Sequence, residues 1–69
     1  MPLGSHHAVT GTLRLSQRGF ELHLDGGGTW ALDAPGRARK LLGRRVSVEG
    51  VRSAFDRLDV QRIESAAEP

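Results

Sequence analysis

The 69 residues include no cysteine and no tyrosine, and only one tryptophan, two phenylalanines and one methionine. Without cysteine there is no disulfide framework, no thiolate metal site and no thiol nucleophile. That composition is compatible with the cytoplasm, which is the expected location. No apolar run approaches the ~18–20 residues that a membrane-crossing helix needs, so no membrane contact is expected. Residues 1–7 hold neither the basic nor the apolar segment of a signal peptide. Gly4-Ser5-His6-His7 resembles a cloning remnant, and 1–7 is set apart as a flexible tail. Internal repeats and linkers are absent as well, so the chain reads as one domain, near the size where a core alone is marginally stabilising.

Charge of one sign is also scarce overall. The net charge is +2, although the pI is about 10.5 because nearly all the cations are arginine. So small a net charge exerts little long-range attraction. The distribution is uneven, however. Between Pro35 and Arg52 stand six basic residues (Arg37, Arg39, Lys40, Arg44, Arg45 and Arg52) against Glu49 alone, a local charge of +5, which leaves about −3 for the remainder.

What is present is alternation. Residues 9–16 place Val9, Gly11, Leu13 and Leu15 on one face and Thr10, Thr12, Arg14 and Ser16 on the other, the pattern of a half-buried strand. A turn at Gln17-Arg18-Gly19 leads into Phe20, Leu22 and Leu24, alternating with Glu21, His23 and Asp25. Asp25-Gly26-Gly27-Gly28 reads as a hairpin turn. It lacks the lysine and the following helix of a phosphate-binding loop. Residues 29–32 form a third strand with Trp30 and Leu32 together. Asp33 is placed to cap a helix, Pro35 suits its first turn, and Ala34, Ala38, Leu41 and Leu42 make a narrow apolar stripe ended by Gly43. Residues 45–51 give a fourth strand with Val46, Val48 and Gly50 inward. Residues 52–56 turn the chain, and 57–63 form a fifth strand with Leu58 and Val60 inward. Ile63 is out of phase, which predicts a bulge or strand end near Arg62. Residues 65–69 are expected to be a flexible tail, leaving 8–64 as the domain.

Three strands, a short helix and two strands in this order resemble an OB-fold, a five-stranded Greek-key barrel. The stretch Gly43-Arg44-Arg45-Val46-Ser47-Val48-Glu49-Gly50, with Phe55-Asp56-Arg57-Leu58-Asp59-Val60, resembles a family of short bacterial domains of unknown function regarded as OB-like. The implied fold is mainly β, a small five-stranded Greek-key OB-like barrel with one short helix between strands three and four. An SH3-like barrel is the rival, but its helical turn precedes its last strand.

The resemblance implies a ligand on strands two and three, flanked by the loops between strands one and two and between strands four and five. In this chain that implicates Arg14, Arg18, Arg52, Phe55 and Arg57. Single-strand binders pair such arginines with exposed aromatics, whereas the outward positions here are Glu21, His23, Thr29, Ala31 and Asp33. Phe55 is the one aromatic a loop can present, and closing the end of the barrel is its commoner role. Trp30 and Phe20 are expected in the core. The basic patch Arg37, Arg39, Lys40, Arg44 and Arg45 either solvates the helix end and complements its dipole or meets phosphates or an acidic protein. His6, His7 and His23 have no carboxylate spaced to complete a metal site. No nucleophile, base and acid set suggests catalysis, and no cofactor is implied. The expected function is a non-enzymatic OB-like binding module, with single-stranded nucleic acid as the candidate ligand. The alternative is a protein-interaction or structural module, acting through the basic patch or a sheet edge, as a monomer or weak homodimer.

Overall fold

The computed structural model describes residues 4–66. The alternating segments form five strands: β1 (His6–Ser16), β2 (Gly19–Leu24), β3 (Thr29–Asp33), β4 (Arg45–Ala54) and β5 (Arg57–Ser65). One short helix, Gly36–Leu41, joins β3 to β4. The strands follow the order β1-β2-β3-β5-β4, and β4 pairs back onto β1, so the sheet is a closed ring. All neighbours run antiparallel except β3 and β5, which are parallel through Ala31↔Arg57, Leu32↔Leu58 and Asp33↔Asp59.

Alternation aims one side chain in two at the inside of the ring. Leu13, Leu22, Leu32, Val46, Val48 and Leu58 meet there with Ala38 of the helix, each at most 3% exposed. Burying a side chain of this size stabilises by about 1.5–3 kcal/mol. Phe20 and Trp30 pack against this cluster and are only partly buried. The two inward glycines are where backbones touch. A Cβ on Gly50 would lie 2.7 Å from the Asp59 carbonyl oxygen, and one on Gly11 would strike the His23 carbonyl.

Several details depart from the alternation alone. β1 starts at His6, ahead of the expected 9, because residues 6–8 continue the ladder against Glu49, Gly50 and Val51. Ser5 and Gly4 extend it through Arg52 N–H to Ser5 O (2.9 Å) and Gly4 N–H to Arg52 O (2.8 Å). His7 therefore belongs to the strand, with its ring centroid 5.2 Å from that of Trp30 and its Nε2 2.9 Å from Ser5 Oγ. The remainder of the expected tails, 1–3 and 67–69, lies outside the described residues.

Leu15 has inward parity but stands beyond the core and is 49% exposed. β4 continues to Ala54 rather than ending at Val51. Its extra residue Ser53 is absorbed as a bulge between Arg52↔Leu58 and Ala54↔Arg57, which shortens the turn to Phe55-Asp56. On β5, the pairs Glu49↔Arg62 and Gly50↔Val60 leave Gln61 as the unmatched residue. That bulge restores Ile63 to the inner side.

The helix is 3-10, not α. Its deepest residue is Ala38, with Leu41 three positions on, and a period of three puts both on one side. Asp33 does not cap it: Asp33 pairs in β3, and Pro35 takes the cap position without a side-chain hydrogen bond. Gly43, at φ +81°, turns the chain toward β4 and donates its N–H to Leu13 O at 2.8 Å.

Candidate binding surfaces

The turn between β4 and β5 is short because the Ser53 bulge brings Ala54 opposite Arg57. Two residues remain at its tip, and Phe55 is 86% exposed. It does not close the end of the ring, since it stands in solvent beyond the last residue of β4. Arg52, one turn of chain earlier, straps the tip. Its Nε donates to Ala54 O at 3.1 Å and its Nη2 to Phe55 O at 2.9 Å. The same guanidinium carbon lies 5.6 Å from the centre of the Phe55 ring. A cation held over one face of an aromatic contributes about 0.5–1 kcal/mol at an exposed site. Arg52 thus holds Phe55 in place as well as carrying charge beside it.

Arg57 follows at the start of β5, half-buried. The ladder registers place it in one outward row with Ala31, Glu21 and Arg14, reading from β5 through β3 and β2 to β1. Ala31 is only 5% exposed although it faces outward, because it lies between the longer side chains of Glu21 and Arg57. Glu21 Oε1 lies 3.4 Å from His23 Nε2 on the same face. Asp33 and Asp59 are register partners one row further on, both exposed. The face of β2 and β3 is therefore acidic at its centre, with cations at its two sides.

The five residues expected around one ligand do not all converge. Arg52, Phe55 and Arg57 form one group. Arg14 is separated from Arg57 by two intervening strands, about 14 Å at ordinary strand spacing. Arg18 sits in the β1–β2 turn, where its N–H donates to Ser16 Oγ at 3.1 Å. That turn is at the opposite end of β2 and β3 from Phe55.

The basic patch is redrawn as well. Arg37, Arg39, Lys40 and Arg44 are exposed. Arg45 instead reaches across the sheet to the β2–β3 turn, its Nη2 2.6 Å and its Nε 3.1 Å from Asp25 Oδ2. Leu13 exchanges backbone hydrogen bonds with residues 43 and 44 (Leu13 N–H to Arg44 O, 3.0 Å). A shallow cavity of about 370 Å³ opens here, lined by Gly43, Arg44, Arg45, Ser65 and Ala66.

Residues 10–66 match the family described as Protein of unknown function (DUF5818). The chain belongs to this family. The DUF5818 match takes in both glycine contacts, the helix and the Phe55 turn, so it spans the ring except for the start of β1. No curated protein and no solved structure gives a match. Among the described residues of this DUF5818 domain, no three of His, Asp and Glu stand close enough to hold a metal ion. No helix among them is long and apolar enough to cross a membrane. Two features had no signal in the local pattern, the Asp25–Arg45 pair and the exposed Leu15. Asp25 reads locally only as a turn residue, and Leu15 continues an inward alternation.

Proposed function

We propose that this domain is a non-enzymatic binding module with an OB-like Greek-key barrel, and that it holds single-stranded nucleic acid at the β4–β5 turn. The observation that carries the reading is Phe55, 86% exposed on a two-residue tip with the Arg52 guanidinium 5.6 Å from its ring. An aromatic in water with one face braced by a cation and the other free is a platform for a base, and stacking supplies about 1–3 kcal/mol per base. Arg57 stands next to it to meet a phosphate. The strand order β1-β2-β3-β5-β4, with a helix between β3 and β4, supports the OB-like assignment. Glu21, Asp33 and Asp59 repel phosphate, so the strand is held at the turn rather than along the middle of β2 and β3.

Fluorescence anisotropy with labelled oligothymidylate and oligouridylate at low salt tests this. Binding is expected, and Phe55→Ala should weaken it by about 5- to 150-fold. Arg57→Ala should flatten the dependence of log K on log salt by about 0.7. No binding of either oligomer at low salt, or binding indifferent to Phe55→Ala, would sink the proposal.

A further inference from the structure

A second surface, at the opposite end of the molecule, calls for a different partner. No acidic residue occurs between Asp33 and Glu49. Arg37, Arg39, Lys40 and Arg44 stand exposed in that interval. None of the four side chains makes an ion pair or hydrogen bond among the described residues. Asp25 holds Arg45, Glu64 lies 3.6 Å from Arg62, and Asp33, the last residue of β3, makes no ion pair with them. Leu15, next along β1 from Arg14, is 49% exposed, one of two large apolar side chains so exposed among the described residues.

We propose that Leu15, Arg37, Arg39, Lys40 and Arg44 form a docking face for an acidic, extended segment of a partner protein that carries an aliphatic residue at one end. Geometry and chemistry agree on this occupant. In a 3-10 helix residues three apart eclipse, so Arg37 and Lys40 share one ridge about 6 Å apart. Carboxylates at alternate positions of an extended chain repeat at about 6.6 Å. An arginine fork donates two parallel hydrogen bonds to a carboxylate. The face has no exposed aromatic on which a base could stack, whereas Leu15 offers an aliphatic contact that a peptide side chain can cover.

The test uses the whole chain and a short fluorescein-labelled peptide in which glutamate alternates with serine and leucine stands at one end. At low salt its anisotropy is expected to rise to saturation and to fall back as salt is added. Arg37→Glu with Lys40→Glu should weaken the peptide by at least about tenfold, because attraction becomes repulsion. Arg44→Glu, made separately, should weaken it as well, and Leu15→Ser by a few-fold. Phe55→Ala should leave it unchanged, which separates this face from the nucleic-acid proposal. All these positions are exposed, and thermal melts of the variants check that the fold survives. The inference is overturned if the peptide does not saturate, or if the charge-reversed variants bind it as well as the parent chain. Oligothymidylate competing more tightly for the same residues would overturn it too.

Discussion

At Gly11 the backbone of β2 passes so close that a methyl group has no room. A Cβ there would meet the His23 carbonyl and lie 2.9 Å from Leu24 Cα, all main-chain atoms that cannot swing aside. Gly50 makes the same approach to β5, with the Asp59 carbonyl 2.7 Å from its would-be Cβ. These contacts let β1 and β4 coil tightly enough to serve two neighbours each. Gly11→Ala is therefore expected to cost about 2–3 kcal/mol, the range of overpacking in a rigid site. In a domain of this size that lowers the melting temperature by roughly 10–20 °C. Gly26→Ala, where nothing stands within 4 Å, should stay within about 0.5 kcal/mol of the parent. Equal melting temperatures for the two variants would show that β1 and β2 do not approach in this way.

The elements owe their boundaries to contacts of this kind more than to their own periodicity. The β4–β5 turn is an example: its tip is secured by Arg52, whose guanidinium spans two carbonyls, and by the Ala31 N–H donating to Asp56 O at 2.7 Å. Lysine keeps the charge but, as a compact ammonium, does not span both acceptors with one planar group. Arg52→Lys should thus lose about 1 kcal/mol and speed hydrogen exchange at the Ala31 amide several-fold. Unchanged exchange at Ala31 would mean that Arg52 does not secure the turn. The Asp25–Arg45 pair ties another turn to the start of β4, yet it is 36–48% exposed. Asp25→Ala should cost at most about 1 kcal/mol, less still at high salt, as urea melts at two salt concentrations would reveal.

Five strands, their inward residues and the place of the helix were legible because period-2 alternation is local, as in Leu22-His23-Leu24. The 3-10 geometry was not, since Ala38 and Leu41 fit a period of 3.6 or 3.0 equally well until the core selects a side. Likewise, Phe55 and Ala31 exchange their expected exposures because the Ser53 bulge and the flanking rows decide them, and neither is written in adjacent residues. Arg45 left the basic patch for a carboxylate 20 positions away, a partnership visible only once β1 lies between them.

At the scale of the whole molecule, closure of the ring is what every other feature depends on, and closure is non-local. β1 completes the ring by pairing His6 with Val51 and Thr12 with Arg45, while β3 and β5 meet in parallel across the helix and β4. Neither contact is made before a long loop has been closed, and the entropy of closure is paid before those contacts stabilise anything. Folding should therefore take milliseconds to seconds, as in other small all-β domains, despite the chain's short length. The single tryptophan reports it directly, because Trp30 packs against the core from β3 and its ring meets His7 of β1. Stopped-flow fluorescence across a urea series should give one exponential phase and a V-shaped dependence of log rate on denaturant. Gly11→Ala, which disturbs β1 where it serves both neighbours, should slow the folding limb if that crossing forms in the transition state. If it forms later, the unfolding limb should rise instead. Relaxation in tens of microseconds would be the rate of a structure built from local contacts, and would contradict a ring closed through β1–β4 and β3–β5.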